Sequence, residues 1–187
     1  STFNDNYDRT CADTSGRATE NSSNIAVFGG MTGTHITIHD CAIYQSLPLS
    51  HPLSGAGLKY KHASRDPDAR FEVYRNVFRN CKFYAFATGT ANTHFHHNLI
   101  IGGKSVISKD LGGVTHQTNQ IFEYNTMYRT RGLSINPMDG YRDALFPDDP
   151  CNIVFRRNIV YDDTAAYNSE AGIVTIGTYM DDRMYNH

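Results

Sequence analysis

Lysine and histidine side chains gather at the ends of short apolar runs. Leu58-Lys59-Tyr60-Lys61 is followed at once by His62, Val106-Ile107-Ser108-Lys109 by Asp110 and then His116, and a third run, Leu133-Ser134-Ile135, closes on Asn136. Brought over one depression, two ammonium groups attract an anionic polymer, and each lowers the pKa of the other until one serves as a base near neutral pH. A second set carries different chemistry. Glu72 with Tyr74, His94 with His96, and Glu123 occupy alternate positions of three further runs. Residues two apart on a strand point the same way, so these imidazoles, carboxylates and phenol can orient a general acid and base or bind a divalent metal. The plain alternative for each set is a solvated polar face. Either set does chemistry only if the chain lays its runs on top of one another.

The runs are copies of one unit. Five segments, 36–43, 71–78, 93–100, 120–127 and 153–160, share the layout apolar, x, apolar, x, x, Asn-like, x, apolar. The sixth position reads Cys41, Asn76, Asn98, Asn125 and Asn158, at spacings of 35, 22, 27 and 33 residues, so insertions must sit in loops between equivalent units. A further strand follows each unit: 58–61, 86–88, 106–108, 133–135 and 173–176, with 25–28 as the same strand of an earlier copy. Period-two alternation marks strands with one buried face, and an Asn recurring at a bend satisfies turn backbone groups. Only stacking lets every copy bury the same positions against its neighbour.

This pattern resembles the right-handed parallel β-helix, the fold of pectate lyases and other carbohydrate-active proteins, over about residues 24–180. The resemblance implies an all-β solenoid of about five to six coils over residues 24–187, after an irregular segment or partial coil over 1–23. Equivalent residues then lie about 4.8 Å apart in ladders. Ile38, Val73, Phe95, Phe122 and Phe155 should stack inside, and the four Asn side chains at one bend. Outside, Thr37, Glu72, His94, Ile121 and Val154 form one row and His39, Tyr74, His96, Glu123 and Arg156 the next. On the following strand Lys59 and Lys61, Ala87 and Gly89, Ile107 and Lys109, and Ser134 and Asn136 face outward, with the small pair leaving a depression between Lys61 and Lys109.

The stretch Val106-Ile107-Ser108-Lys109, then Asn125-Thr126-Met127, then Gly132-Leu133-Ser134-Ile135-Asn136 is similar to the catalytic layout of the alginate lyase and chondroitinase B family. The resemblance implies β-elimination on a uronate polymer, with Lys109 matching the base of the family and Asn136 standing where its Arg would be. Lys61 and His116 would share the catalytic work, His116 or water protonating the leaving oxygen, while Lys59, His62, Asp110 and Asn136 bind substrate. Glu72, Tyr74, His94, His96 and Glu123 are the alternative site. The other function the pattern admits is a non-catalytic glycan-binding, adhesive or structural segment of a larger extracellular protein.

Composition narrows the remaining choices. The 187 residues carry 17 Lys+Arg and 19 Asp+Glu, a formal charge of -2 without a long run of either sign, which argues against a nucleic-acid surface. No apolar run approaches the roughly 20 residues needed to cross a bilayer, so membrane insertion is not expected. No cofactor is required; calcium is the ion that would replace a missing Arg, yet the acidic loops at 139–143, 148–149, 162–163 and 181–182 lack the ligand spacing of a calcium loop. The 4 cysteines form no C-x-x-C pair, and Cys41 is expected to be buried and unreactive. Neither end carries an amphipathic cap, so the expectation is a piece of a longer secreted or extracellular chain whose solenoid ends are covered by further domains or subunits.

Overall fold

The computed structural model describes residues 1–4, 23–28, 33, 35–46, 55–61, 68–81, 84–88, 92–103, 106–109, 119–130, 133–136, 152–161 and 174–176. Every regular element among them is a strand: β1 (Thr2–Asn4), β2 (Ser23–Phe28), β3 (His35–His39), β4 (Ala42–Tyr44), β5 (Ala56–Lys61), β6 (Arg70–Tyr74), β7 (Val77–Cys81), β8 (Phe86–Thr88), β9 (Thr93–His96), β10 (Leu99–Gly103), β11 (Val106–Lys109), β12 (Gln120–Glu123), β13 (Thr126–Tyr128), β14 (Leu133–Asn136), β15 (Ile153–Arg156), β16 (Ile159–Tyr161) and β17 (Val174–Ile176). No helix among the described residues is long and apolar enough to cross a membrane.

The strands form three sheets. The first, of five strands, runs β3-β6-β9-β12-β15; the second, of six, β1-β4-β7-β10-β13-β16; the third, of six, β2-β5-β8-β11-β14-β17. Each strand therefore pairs with the strand three places away in the chain, and the pairings β3–β6, β6–β9, β9–β12 and β12–β15 are all parallel. Three strands per unit is one more than the sequence pattern implies. The extra strand is the one after the Asn bend, short enough at Ala42–Tyr44 or Thr126–Tyr128 to bury a single residue, and one inward residue leaves no alternation to read.

The interior is built from ladders. Ile38, Val73, Phe95, Phe122 and Phe155 are in register across the first sheet, as expected. The second sheet contributes Ile43, Phe78, Ile100, Met127 and Val160, and the third Leu58, Phe86, Val106 and Leu133. Phe95 is fully buried and lies face to face with Phe86, ring centroids 4.9 Å apart, which locks the first sheet against the third.

The bend between the first and second sheets repeats to the residue. Asp40, Arg75, His97, Tyr124 and Arg157, each immediately before a position of the Cys41/Asn76/Asn98/Asn125/Asn158 series, all have φ between 53 and 56°. A left-handed residue with a Cβ costs roughly 1–2 kcal/mol, and the Asn ladder offsets that cost. Asn98 accepts from the Asn76 backbone N–H at 3.0 Å and side-chain amide at 3.1 Å, while its own amide donates to the Val73 carbonyl at 2.9 Å and to Asn125 Oδ1 at 3.1 Å. Asn125 repeats the pattern with Asn158. Gly103, φ +79°, is required where the second sheet turns away, because a Cβ there would lie 2.2 Å from the Cys81 carbonyl oxygen.

Cys41 begins this series and accepts the end of the ladder through its backbone N–H, which donates to Asn76 Oδ1 at 3.0 Å. Its side chain is only partly buried, with Sγ against the His39 carbonyl at 3.1 Å, so the expectation of a buried thiol is corrected: among the described residues the Asn series has no copy before it to cover the side chain. Cys81 is the buried thiol, 1% exposed and pushed up to about 12 by burial. Brief alkylation of the native protein at pH 8, followed by peptide mapping, should modify Cys41 and leave Cys81 unmodified. Labelling of Cys81 at the rate of Cys41 would contradict this packing.

Candidate functional site

The outward face of the first sheet carries the expected rows. Thr37, Glu72, His94, Ile121 and Val154 are in register, as are His39, Tyr74, His96, Glu123 and Arg156. The contacts run diagonally between the rows. His96 Nε2 lies 3.1 Å from Glu72 Oε1, one strand back, and His94 Nε2 lies 3.1 Å from Glu123 Oε1, one strand on. The two imidazoles project from the same strand with ring centroids 4.0 Å apart. His39, Tyr74 and His96 stack nearly flat on one another at 5.0 and 5.1 Å, so the faces between them are occupied.

Electrostatics fix the protonation of this face. Arg156 Nε donates to Glu123 Oε2 at 2.8 Å, and that hydrogen bond, aided by His94, holds the Glu123 carboxyl below the usual carboxylate range. Glu123 therefore favours the ionised form and is poorly suited to serve as a protonated general acid. Burial pushes His96 down, outweighing the hydrogen bond to Glu72. Its Nε2 faces Glu72 Oε1 and its Nδ1 faces His97 Nδ1 at 2.8 Å, so both ring nitrogens are engaged. Sequence reading leaves His97 as a turn residue. The αL bend, φ +54°, swings its ring against His96 and onto Tyr124 at 5.0 Å.

A folded-state imidazole that resists protonation makes stability depend on pH in a definite direction. The unfolded chain takes up the proton first, near pH 6.5, so the protein loses stability as pH falls through about 6.5. The depressed Glu123 acts in a lower window, its contribution being lost as pH drops below the ordinary Glu value. Urea midpoints should therefore be lower at pH 5.5 than at pH 7.5, with a smaller difference in His96→Asn. Equal midpoints for the parent protein would contradict the assignment.

Beside the imidazoles lies a depression of about 390 Å³, lined by Arg70, Phe71, Glu72, Asn92, Thr93, His94, Asn119 and Ile121. Arg70 opens β6, and Asn92 and Asn119 are αL residues, φ 51° each, that lead the chain out of the third-sheet loops into β9 and β12. Asn119 donates to Asn92 Oδ1 at 3.2 Å, and Asn152 to Asn119 at 3.3 Å, a second and exposed amide ladder. None of Arg70, Asn92 or Asn119 stands inside the repeated motif. The one sequence signal for them is their place just ahead of its first position.

The lysine set maps to the third sheet. Lys109 is paired with Asn136, and Lys59 with Ala87, as the register reading expects. Lys59 is buried, 7% exposed, so its ammonium offers little to a ligand. Lys61, Lys109 and Asn136 end β5, β11 and β14, and of their side chains nothing further is described; His62, Gly89, Asp110, His116 and the acidic loops lie outside the described residues. In sequence Lys109 stands ten residues before Asn119, which lines the depression. No protein-family model matches the chain, and no curated protein and no solved structure matches it.

Proposed function

We propose that the chain is a right-handed parallel β-helix that acts on an acidic, uronate-containing polysaccharide by β-elimination, with the polymer lying along the edge of the first sheet where β6, β9 and β12 begin. The cyclic visiting of three parallel sheets supports the winding, and parallel crossovers are right-handed in about 98% of cases. The depression carries the functional reading: it sets a guanidinium, Arg70, beside the side-chain amides of Asn92 and Asn119, with Glu72 and His94 in the same lining, a set that can pair with one carboxylate and bond several sugar hydroxyls. Such a polymer places the protein outside the cell, in the periplasm or at the cell surface.

In this reading Arg70 pairs with the uronate carboxylate and withdraws charge from it, acidifying the neighbouring C5 proton. It takes over the neutralising part that Asn136 cannot play. Lys109 removes the proton, the electron pair forms the C4–C5 double bond, and the C4–O4 bond breaks with O4 protonated by His116 or water. Incubation with alginate, pectate, chondroitin and a neutral glucan, followed by the ultraviolet absorbance of unsaturated uronate ends, tests this. Absorbance should rise with a uronate polymer and not with the glucan. Retention of a polymer without cleavage would leave a glycan-binding solenoid, and neither retention nor cleavage would overturn the reading.

A further inference from the structure

Glu72, His94 and His96 each offer one potential ligand atom, and these atoms all lie within 4.8 Å of one another. The donors come from two adjacent, paired strands, His94 and His96 from β9 and Glu72 from β6 in register with His94, so the backbone pre-sets them. The 3.1 Å between His96 Nε2 and Glu72 Oε1 is also the separation of two ligands bound to one ion at about 2.1 Å with an angle near 95°. Behind His94 stands a partner of the kind that orients metal-bound histidines, Glu123 anchored by Arg156, and the Nδ1 of His96 is engaged by the His97 ring. A solvated ladder needs none of this backing.

The geometry points to a mononuclear site for a first-row divalent metal, zinc foremost, held by Glu72, His94 and His96 and oriented by Glu123 and His97. Two imidazoles and a carboxylate suit zinc and its neighbours, whereas calcium takes oxygen ligands. Three protein ligands leave coordination positions open, as in sites that act on a bound molecule, and Glu72 and His94 also line the depression. The site stands independently of the uronate reading, because its test needs no polysaccharide.

Zinc sulfate titrated into chelator-stripped protein should bind at one ion per chain by calorimetry, with calcium failing to compete. His94→Ala and His96→Ala should abolish the binding, and Glu123→Gln should weaken it about 10–100-fold. His35→Ala should leave it unchanged, since that ring is bonded to the Asp68 carbonyl at the start of β3. If an alanine variant fails to fold, histidine-ring NMR of the parent protein decides: zinc should shift His94, His96 and the adjoining His97 and leave His35 in place. Absence of saturable binding, affinity indifferent to both alanine changes, or shifts confined to other histidines would overturn the site.

Discussion

Asn98→Ala is expected to lower stability by about 3 kcal/mol or more, the largest loss from any single polar substitution among the described residues. The side chain is 2% exposed and makes four hydrogen bonds, so its removal strands the Val73 carbonyl and the Asn76 backbone N–H in a dry bend. Each stranded group costs roughly 1–3 kcal/mol, because no water can reach it. The neighbouring αL residue, His97, then loses the ladder that offsets its conformation. Asn158→Ala is the control. It terminates the same ladder but is partly exposed, so water replaces its partners and the loss should be well under half. Urea unfolding of both variants, compared at constant m, measures the difference. Equal losses would mean that the ladder is not the buried, cooperative element described.

The second large effect is on rate. If Lys109 takes the C5 proton, Lys109→Ala should lower uronate cleavage on the order of 100- to 10,000-fold with little change in KM. Arg70→Ala removes a group that binds the carboxylate and stabilises the charge developing on it, so it should raise KM and lower kcat together. Arg70→Lys keeps the charge but not the two-pronged geometry and should recover only part of the loss. Arg70 is exposed on a strand end, so neither variant should shift the urea midpoint appreciably. Unchanged kinetics in both variants would remove the depression at the start of β6, β9 and β12 as the reaction site.

The ladders were legible in the sequence because a stacked fold writes the same demand into every copy. The inward series from Ile38 to Phe155, the Asn series and the two outward rows were all readable from alternation and one recurring amide. Strands too short to alternate were not readable, and the second sheet consists largely of these. The depression was missed for a related reason. Arg70, Asn92 and Asn119 come from the ends of loops of unequal length, where spacing carries no period, and only the register of β6, β9 and β12 shows that they share an edge. His97 reads as a turn residue until its αL backbone is known, and Cys41 reads as buried until the open end of its ladder is seen. Lys59 illustrates the limit of alternation: its outward parity is right, and it is buried nonetheless.

The central claim is elimination at a uronate linkage, and product mass tests it most directly. A defined uronate oligosaccharide is digested and all fragments are weighed by mass spectrometry. Elimination adds no water, so the account predicts two fragments whose masses sum to that of the substrate, one carrying an unsaturated end. Fragments summing to the substrate plus one water, or an oligosaccharide that survives prolonged incubation intact, would contradict it.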